Sequence, residues 1–395
     1  MSDNNKSFLI VVSVASMVDQ FLMPSVRLLL DMGYKVDVAT NFVNGSTCSD
    51  EQIWRLLNVL DALFVDCYHI DFSRNVSDFS SHIKAVRQLN SVVKGISKPL
   101  NQTKHHKIDR YHPYDLIHSH SPVGGVIGRY VARKHRIRSF YTAHGFHFYK
   151  GAPVKNWLLY YTIESVFSNI TDVLITINTE DYLMARTRLH AGKVAYVPGV
   201  GVNIEKYRDV KIDRRAKRAE LGIKPTDIML FSTGELNRNK NHRIVIEAMS
   251  MIDKKEHVHY FIAGKGDMYG ELISLAEKKR VNLHLMGFRD DVPELLKASD
   301  IFLLPSIREG LNVGLMEAMA SGLPCLVSDI RGSRDLIDSR GGWLATSGNT
   351  KDFYLKLREA LKKKDRQEMG AYNIQKVKLF SKEEVTRRLK LIYEH

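Results

Sequence analysis

The chain has 395 residues, with 58 Lys+Arg against 44 Asp+Glu and a formal net charge of +14. Apolar residues make up 44% and charged residues 26%, the balance of a globular chain long enough for two domains of roughly 100–200 residues each. These values exclude a disordered chain, a collagen-like fibre and a disulfide scaffold; Cys48, Cys67 and Cys325 share no metal-ligand spacing and read as reduced thiols of a cytosolic protein.

The first apolar run, Phe8–Val18, is shorter than the ~20 residues of a bilayer span, and MSDNNK ahead of it lacks the basic stretch of a signal peptide. Phe8–Val14 therefore reads as a strand buried on both faces. A helix is predicted over Met17–Met32, ended by Gly33, then strands at Lys35–Thr40 and Leu63–Ile70 and a helix at Ser77–Ile96. Strands Tyr114–His118 and Arg138–Ala143 flank a helix at Val123–Lys134. Helix Lys155–Phe167, strand Thr171–Ile177, helix Glu180–Leu189 and strand Val194–Val197 complete the first half. The charged stretch Glu205–Thr226 breaks the rhythm and marks the domain boundary. Five more strands follow, at Ile228–Ser232, Val258–Ala263, Asn282–Met286, Ile301–Leu304 and Cys325–Ser328. Helices at Asn241–Ile252, Asp267–Lys279, Val292–Ala298 and Val313–Ser321 separate them, and three or more helical segments run from Lys351 to the end. Repeated strand–helix alternation predicts an α/β chain of two doubly wound parallel sheets, with ligands at the C-terminal ends of strands and a cleft between the domains.

Positive charge is concentrated. Phe79–Ile163 holds fourteen Lys and Arg, Arg129, Arg133, Lys134 and Arg136 among them, against Asp109 and Asp115, and Leu116–Ile163 has no acid. Such a face attracts phospholipid headgroups, diphosphates or nucleic acid, and it also fits a plain solvated surface. No zinc-finger spacing, RNP-like strand or basic helix-turn-helix accompanies it, so nucleic acid is not an expected partner.

The loops after strands carry the chemistry. Pro305–Pro324 reads P-S-I-R-E-G-L-N-V-G-L-M-E-A-M-A-S-G-L-P. It places Glu309 in the loop before a helix and Glu317 about one turn inside it. Gly310 and Gly314 allow close approach to the backbone, and a helix start favours anions and hydroxyl oxygens. A carboxylate accepts both protons of a cis-diol, so one Glu suits a ribose and the other a hexose; an ordinary surface glutamate at 317 fits the same spacing. Thr233–His242, T-G-E-L-N-R-N-K-N-H, sets Gly234, Arg238 and Lys240 at a strand-to-helix turn, where two cations suit a diphosphate or simply a solvated turn. Ala263–Asp267, A-G-K-G-D, puts Gly264 in a partial glycine-rich nucleotide loop. In the first half, H-S-H-S-P-V-G-G and Y-T-A-H-G-F-H-F-Y-K-G gather His118, His120, His144 and His147 at one edge. No compact zinc spacing is present, and Gly124, Gly125 and Gly145 give room for a polar substrate. No two aspartates lie two residues apart, so there is no D-x-D for a metal-held diphosphate, and protein cations are expected to neutralise the leaving group.

Together these segments resemble the GT-B glycosyltransferases, specifically glycosyltransferase family four. E-G-L-N-V-G-L-M-E-A-M-A-S-G-L-P is similar to that family's E-x₇-E signature, and T-G-E-L-N-R-N-K-N-H, F-I-A-G-K-G, M-G-F-R-D-D-V-P-E-L and A-S-D-I-F-L-L-P-S follow the family's segments. H-S-H-S-P-V-G-G-V-I-G-R, T-A-H-G-F-H-F-Y-K-G-A-P and I-T-I-N-T-E-D-Y resemble its bacterial capsule and exopolysaccharide branch. The resemblance implies metal-free, retaining transfer of a hexose from a UDP- or GDP-sugar to a lipid-diphosphate-linked sugar, with no cofactor. It gives Glu317 the donor ribose, Glu309 and the amides of Leu311, Asn312 and Val313 the donor sugar, Lys240 the diphosphate, and His144 an approach to the donor sugar from the first domain. The family often carries an arginine directly after the glycine of the Thr233–His242 turn; here that position is Glu235, and Arg238 is the substitute expected from charge. His120, Gly124, Gly125 and His147 are expected on the acceptor side. The implied architecture is a basic, membrane-facing domain 1–205, a donor domain 206–380 and a helix 381–395 crossing back, with Val385, Leu389 and Ile392 as its buried stripe. The basic domain would sit on the anionic inner face of the plasma membrane as a peripheral cytoplasmic enzyme. A non-catalytic sugar- or lipid-binding partner and a nucleotide-sugar epimerase of the same fold are the competing readings.

Overall fold

The computed structural model describes residues 6–44, 48–73, 75–101, 114–253 and 255–394. Lys104, Lys107, Asp109 and Arg110 of the basic window lie outside them. The chain divides into two compact units, Met1–Val200 with Thr386–His395, and Gly201–Val385.

The first unit is built on seven parallel strands: β1 (Ser7–Val11), β2 (Lys35–Thr40), β3 (Asp66–His69), β4 (Leu116–His120), β5 (Arg138–Ala143), β6 (Val173–Thr176) and β7 (Lys193–Tyr196), ordered β3-β2-β1-β4-β5-β6-β7. The second has six: β8 (Ile228–Thr233), β9 (Val258–Ala263), β10 (Asn282–Leu285), β11 (Ile301–Leu304), β12 (Cys325–Ser328) and β13 (Gly342–Ala345), ordered β10-β9-β8-β11-β12-β13. Helices between parallel strands cover both faces of a sheet. Central strands therefore read as unbroken apolar runs, as SFLIV in β1 and IFLL in β11 do, and every residue of both is buried. In each sheet the chain winds outward, returns and winds the other way. The reversal falls between β1 and β4 in one and between β8 and β11 in the other, and a crevice opens there at the strands' C-terminal ends.

Three elements depart from the sequence reading. Asp50–Ala62 is a helix, started by a capping box in which Ser49 accepts from the Gln52 N–H and Gln52 accepts from the Ser49 N–H, and anchored by Ile53, Leu56 and Leu60. β13 lies against β12 so closely that a Cβ on Gly342 would stand 2.0 Å from the Cys325 carbonyl oxygen. The charged boundary stretch is packed structure of the second unit. It forms the helices Ile204–Arg208 and Arg214–Glu220. Arg218 is buried and donates to Asp300 Oδ2 at 3.1 Å, and Lys217 Nζ reaches Asp291 Oδ2 at 2.7 Å. Its charges read only as a domain boundary because their acidic partners lie some eighty residues away. In the last helix, Lys382–Glu394, the expected stripe Val385, Leu389 and Ile392 is buried, and Tyr393 beside it stacks on Phe140 with ring centroids 6.2 Å apart.

Candidate functional site

In the first unit, β4 carries His118 and His120 two residues apart, hence on one face, and β5 leads directly into His144. His118 uses both ring nitrogens: Nδ1 lies 2.8 Å from the Tyr393 hydroxyl and Nε2 lies 2.8 Å from Thr142 Oγ1. Its ring centroid is 4.2 Å from that of His120, and His120 Nδ1 is 3.2 Å from His144 Nε2. Burial holds all three below the ordinary histidine range, His118 at about 3 and His144 at about 4, so the chain of rings is neutral. His147 does not join them. Its ring packs on Tyr160, centroids 4.6 Å apart, and its carbonyl accepts from Asn156 Nδ2.

The space beside the two glycines is filled by protein. A Cβ on Gly125 would stand 2.3 Å from the Tyr141 ring, and the Gly124 N–H donates to Ser13 Oγ at 3.0 Å. Both glycines seat the helix Pro122–His135 against the sheet, which corrects the expectation that they make room for a substrate. Ser13 Oγ also lies 2.7 Å from Ser121 Oγ, tying the loop after β1 to the loop after β4 at the reversal, where Ser121 holds φ +64°. Arg129 also departs from the reading of an external basic face. It is fully buried, 4.0 Å over the Tyr141 ring and 2.9 Å from Glu164 Oε2.

In the second unit the turn after β8 and the loop after β11 are stitched together. The Ile307 N–H donates to the Asn239 carbonyl at 2.8 Å, and Asn239 Nδ2 donates to the Arg308 carbonyl at 2.9 Å. Asn237 Oδ1 accepts from the Lys240 N–H. This frame brings Lys240 Nζ to 2.8 Å from Glu309 Oε1, both side chains largely shielded from solvent. Asn312 caps the helix Val313–Ala320 by accepting from the Leu315 N–H at 2.9 Å, so the first-turn amides, Val313 included, stand at this edge beside the buried Leu311. Glu317 lies one turn in, where Tyr207 donates to its Oε1 at 2.5 Å, and burial pushes its carboxyl above the usual range. Arg238 is exposed and has no ion pair or hydrogen bond among the described residues. Gly234 adopts φ +131°, and a Cβ on Gly264 would stand 1.8 Å from the Gly234 carbonyl oxygen. The missing Cβ of Gly264 lets the two neighbouring turns approach each other at backbone distance.

Two residues escaped the sequence reading. Tyr207 sits in the stretch read as the domain boundary; its signal was Asn203 ahead of I-E-K-Y, a helix-start pattern in which Asn203 accepts from the Lys206 N–H. Arg331, 4% exposed, donates through Nε to the Glu309 carbonyl at 3.2 Å, and no local pattern marks it. Among the described residues, no three His, Cys, Asp or Glu side chains are grouped to hold a metal ion, and no helix is long and apolar enough to cross a membrane.

Two family descriptions match the chain: a glycosyl transferase 4-like domain over residues 24–199 and glycosyl transferases group 1 over 213–377. A putative glycosyltransferase, EpsD of Bacillus subtilis, is 42% identical over 255 residues, 62% of this chain and 67% of that protein. The UDP-Gal:alpha-D-GlcNAc-diphosphoundecaprenol alpha-1,3-galactosyltransferase of Escherichia coli is 32% identical over 243 residues, 59% of this chain and 62% of that protein. Among solved structures, HepE of Anabaena in complex with UDP superposes with a TM-score of 0.74 at 15% identity, over 98% of this chain and 99% of that one, a likeness of fold.

Proposed function

Because this chain belongs to the GT-B glycosyltransferases, we propose that it moves a hexosyl group from a UDP- or GDP-sugar to a sugar carried on a lipid diphosphate in exopolysaccharide or capsule assembly, retaining the anomeric configuration and using no metal ion. The names of the relatives support the substrate classes: the E. coli enzyme takes UDP-Gal to a diphosphoundecaprenol-linked sugar, and HepE was solved with UDP.

The observation that carries the reading is the Lys240–Glu309 pair, one cation and one carboxylate brought together from turns 69 residues apart at the sheet's reversal. A donor exchanges that contact for two others. Its diphosphate takes the Lys240 ammonium, and the freed Glu309 takes sugar hydroxyls. Glu317 accepts from the ribose. As the anomeric C–O bond to the diphosphate breaks, Lys240 and Arg238 stabilise the charge that develops on the leaving group. The acceptor oxygen forms the new bond on the same face, and its proton passes to the departing diphosphate.

Membrane attachment has support beyond charge. Val154, Leu158 and Val166 recur at multiples of four along one helical run and are 74%, 72% and 61% exposed, with Leu159 beside them. Lys150 and Lys155 flank this apolar face, and the acid of the same helical run, Glu164, is turned inward on Arg129. An apolar stripe edged by cations suits the anionic interface of a bilayer.

A panel of nucleotide sugars tests the reading. One UDP- or GDP-sugar is expected to raise Tm and to be transferred in the presence of EDTA to a lipid-diphosphate-linked sugar, with the anomeric configuration read by NMR. Loss of transfer in EDTA refutes metal independence, and no response to any donor refutes the assignment. The protein is expected to sediment with phosphatidylglycerol vesicles and Leu158→Asp to remain in solution; equal sedimentation of the two removes the membrane face.

A further inference from the structure

The hydrogen bonds in the first unit fix more than the position of His144. His120 is 3% exposed; its Nδ1 faces His144 Nε2 at 3.2 Å, and its Nε2 is buried with no partner. A neutral imidazole carries one N–H, so two arrangements are open. With the proton on Nε2, His120 would bury an unsatisfied N–H donor. With the proton on Nδ1, the bond to His144 is made and only a bare lone pair is left unused. Buried orphan N–H groups are the rarer and costlier case, so the proton belongs on His120 Nδ1. His144 Nε2 is then the acceptor, and the proton of His144 sits on Nδ1.

We propose that His120 is a positioning residue that locks His144 in its Nδ1–H form, so that His144 offers the ligand a hydrogen-bond donor, and not a base, at the C-terminal edge of β5. The neighbours support the lock. His118 is held at both nitrogens by Tyr393 and Thr142 and its ring packs 4.2 Å from that of His120, so the ring behind His120 does not turn, and the last helix of the chain contributes to the arrangement through Tyr393. Free histidine favours the Nε2–H form, so the His120 contact inverts the ordinary preference. A donor at this point suits an oxygen acceptor: a hydroxyl, the ring oxygen or a phosphate oxygen of a nucleotide sugar. This role rests on the glycosyltransferase reading, whereas the tautomer does not.

Two-bond ¹H–¹⁵N spectra of the full ligand-free chain with labelled histidine test it, the His144 signals being assigned with His144→Gln. Wild type is expected to show His144 protonated at Nδ1 and bare at Nε2. His120→Asn, whose amide nitrogen stands near the place of Nδ1, is expected to keep that form, and His120→Leu to return His144 to Nε2–H. His120→Leu is expected to lower kcat about tenfold with donor KM within about twofold, and His120→Asn to recover most of it. Wild-type His144 protonated at Nε2 overturns the lock whether or not the leucine variant folds, and so does an Nδ1–H signal that survives in His120→Leu. Failure of the glycosyltransferase reading appears differently, as absent turnover with the spectra intact.

Discussion

The two units bring polar groups to equivalent edges of their sheets by different means. In the first, the neighbouring rings of buried His118 and His120 and half-buried His144 are held neutral, and they are linked to one another and to Tyr393 and Thr142. In the second, Lys240 meets Glu309 as an ion pair, and Glu317 is held by a phenol. Neutral rings orient without attracting a polyanion, whereas a lysine attracts a diphosphate but needs a counter-charge until one arrives. The second unit keeps a neutral chain too, further inside: His242 Nδ1 lies 2.7 Å from the Tyr260 hydroxyl, which lies 2.8 Å from Ser232 Oγ. The contrast thus concerns which group reaches the edge.

The largest test of the contrast is acid. Each histidine held neutral at a folded value far below its ordinary one leaves the unfolded chain to take the proton first. Stability is then intact above about pH 6.5 and falls with pH down to the folded value, by about 1.4 kcal/mol per histidine per pH unit. At pH 5 the cost is up to about 2 kcal/mol for each such ring, His118, His120 and His144 in the first unit against His242 and, on β10, His284 in the second. Asp37, pushed up to about 6 by burial, works the other way in the first unit but is one group. Hydrogen exchange on the whole chain, corrected for intrinsic rate, is expected to show β4 and β5 losing protection before β8 and β11 as pH falls from 7 to 5. Equal loss would break the contrast.

Removing the charge from the ion pair comes next. Glu309→Gln keeps the shape and leaves Lys240 without its counter-charge. A loss of about 100-fold in kcat/KM, about 2.7 kcal/mol, is expected, because the carboxylate is read as a partner of the reacting sugar. Steady-state kinetics at saturating acceptor check it, and a change below threefold would make Glu309 a structural partner of Lys240 only.

These contacts were unequally legible. The E-x₇-E spacing marked Glu309 and Glu317, because one loop and one helix turn decide their placement locally. Lys240 was marked by its strand-to-helix turn, and the parallel alternation gave both sheets. Gly124 and Gly125 were misjudged because a missing Cβ frees space that sequence does not assign; here it is taken by Ser13 and the Tyr141 ring. Arg129 counted toward a basic surface because its acid, Glu164, falls one residue beyond the acid-free window, and only the packing of helix on helix pairs them. Arg331 is a matter of long-range packing, which no spacing rule reaches.

Tyr207 gives the smallest and sharpest test of the second unit's edge. Its hydroxyl bonds one oxygen of Glu317, and burial has already raised that carboxyl's proton affinity. Tyr207→Phe removes one hydrogen bond to a charged group and keeps the ring that fills the site, which is 6% exposed. The Glu317 carboxyl then rises further, since the lost bond favoured the ionised form. If the carboxylate is what binds the ribose, donor Kd weakens about tenfold at neutral pH, near 1.4 kcal/mol, and weakens further as pH drops. Calorimetric titration of the donor against wild type and variant at pH 8 and pH 6 reads both effects. An affinity that ignores the substitution at both pH values would place the ribose elsewhere and leave Tyr207 as a packing contact between the helix Ile204–Arg208 and the helix that carries Glu317.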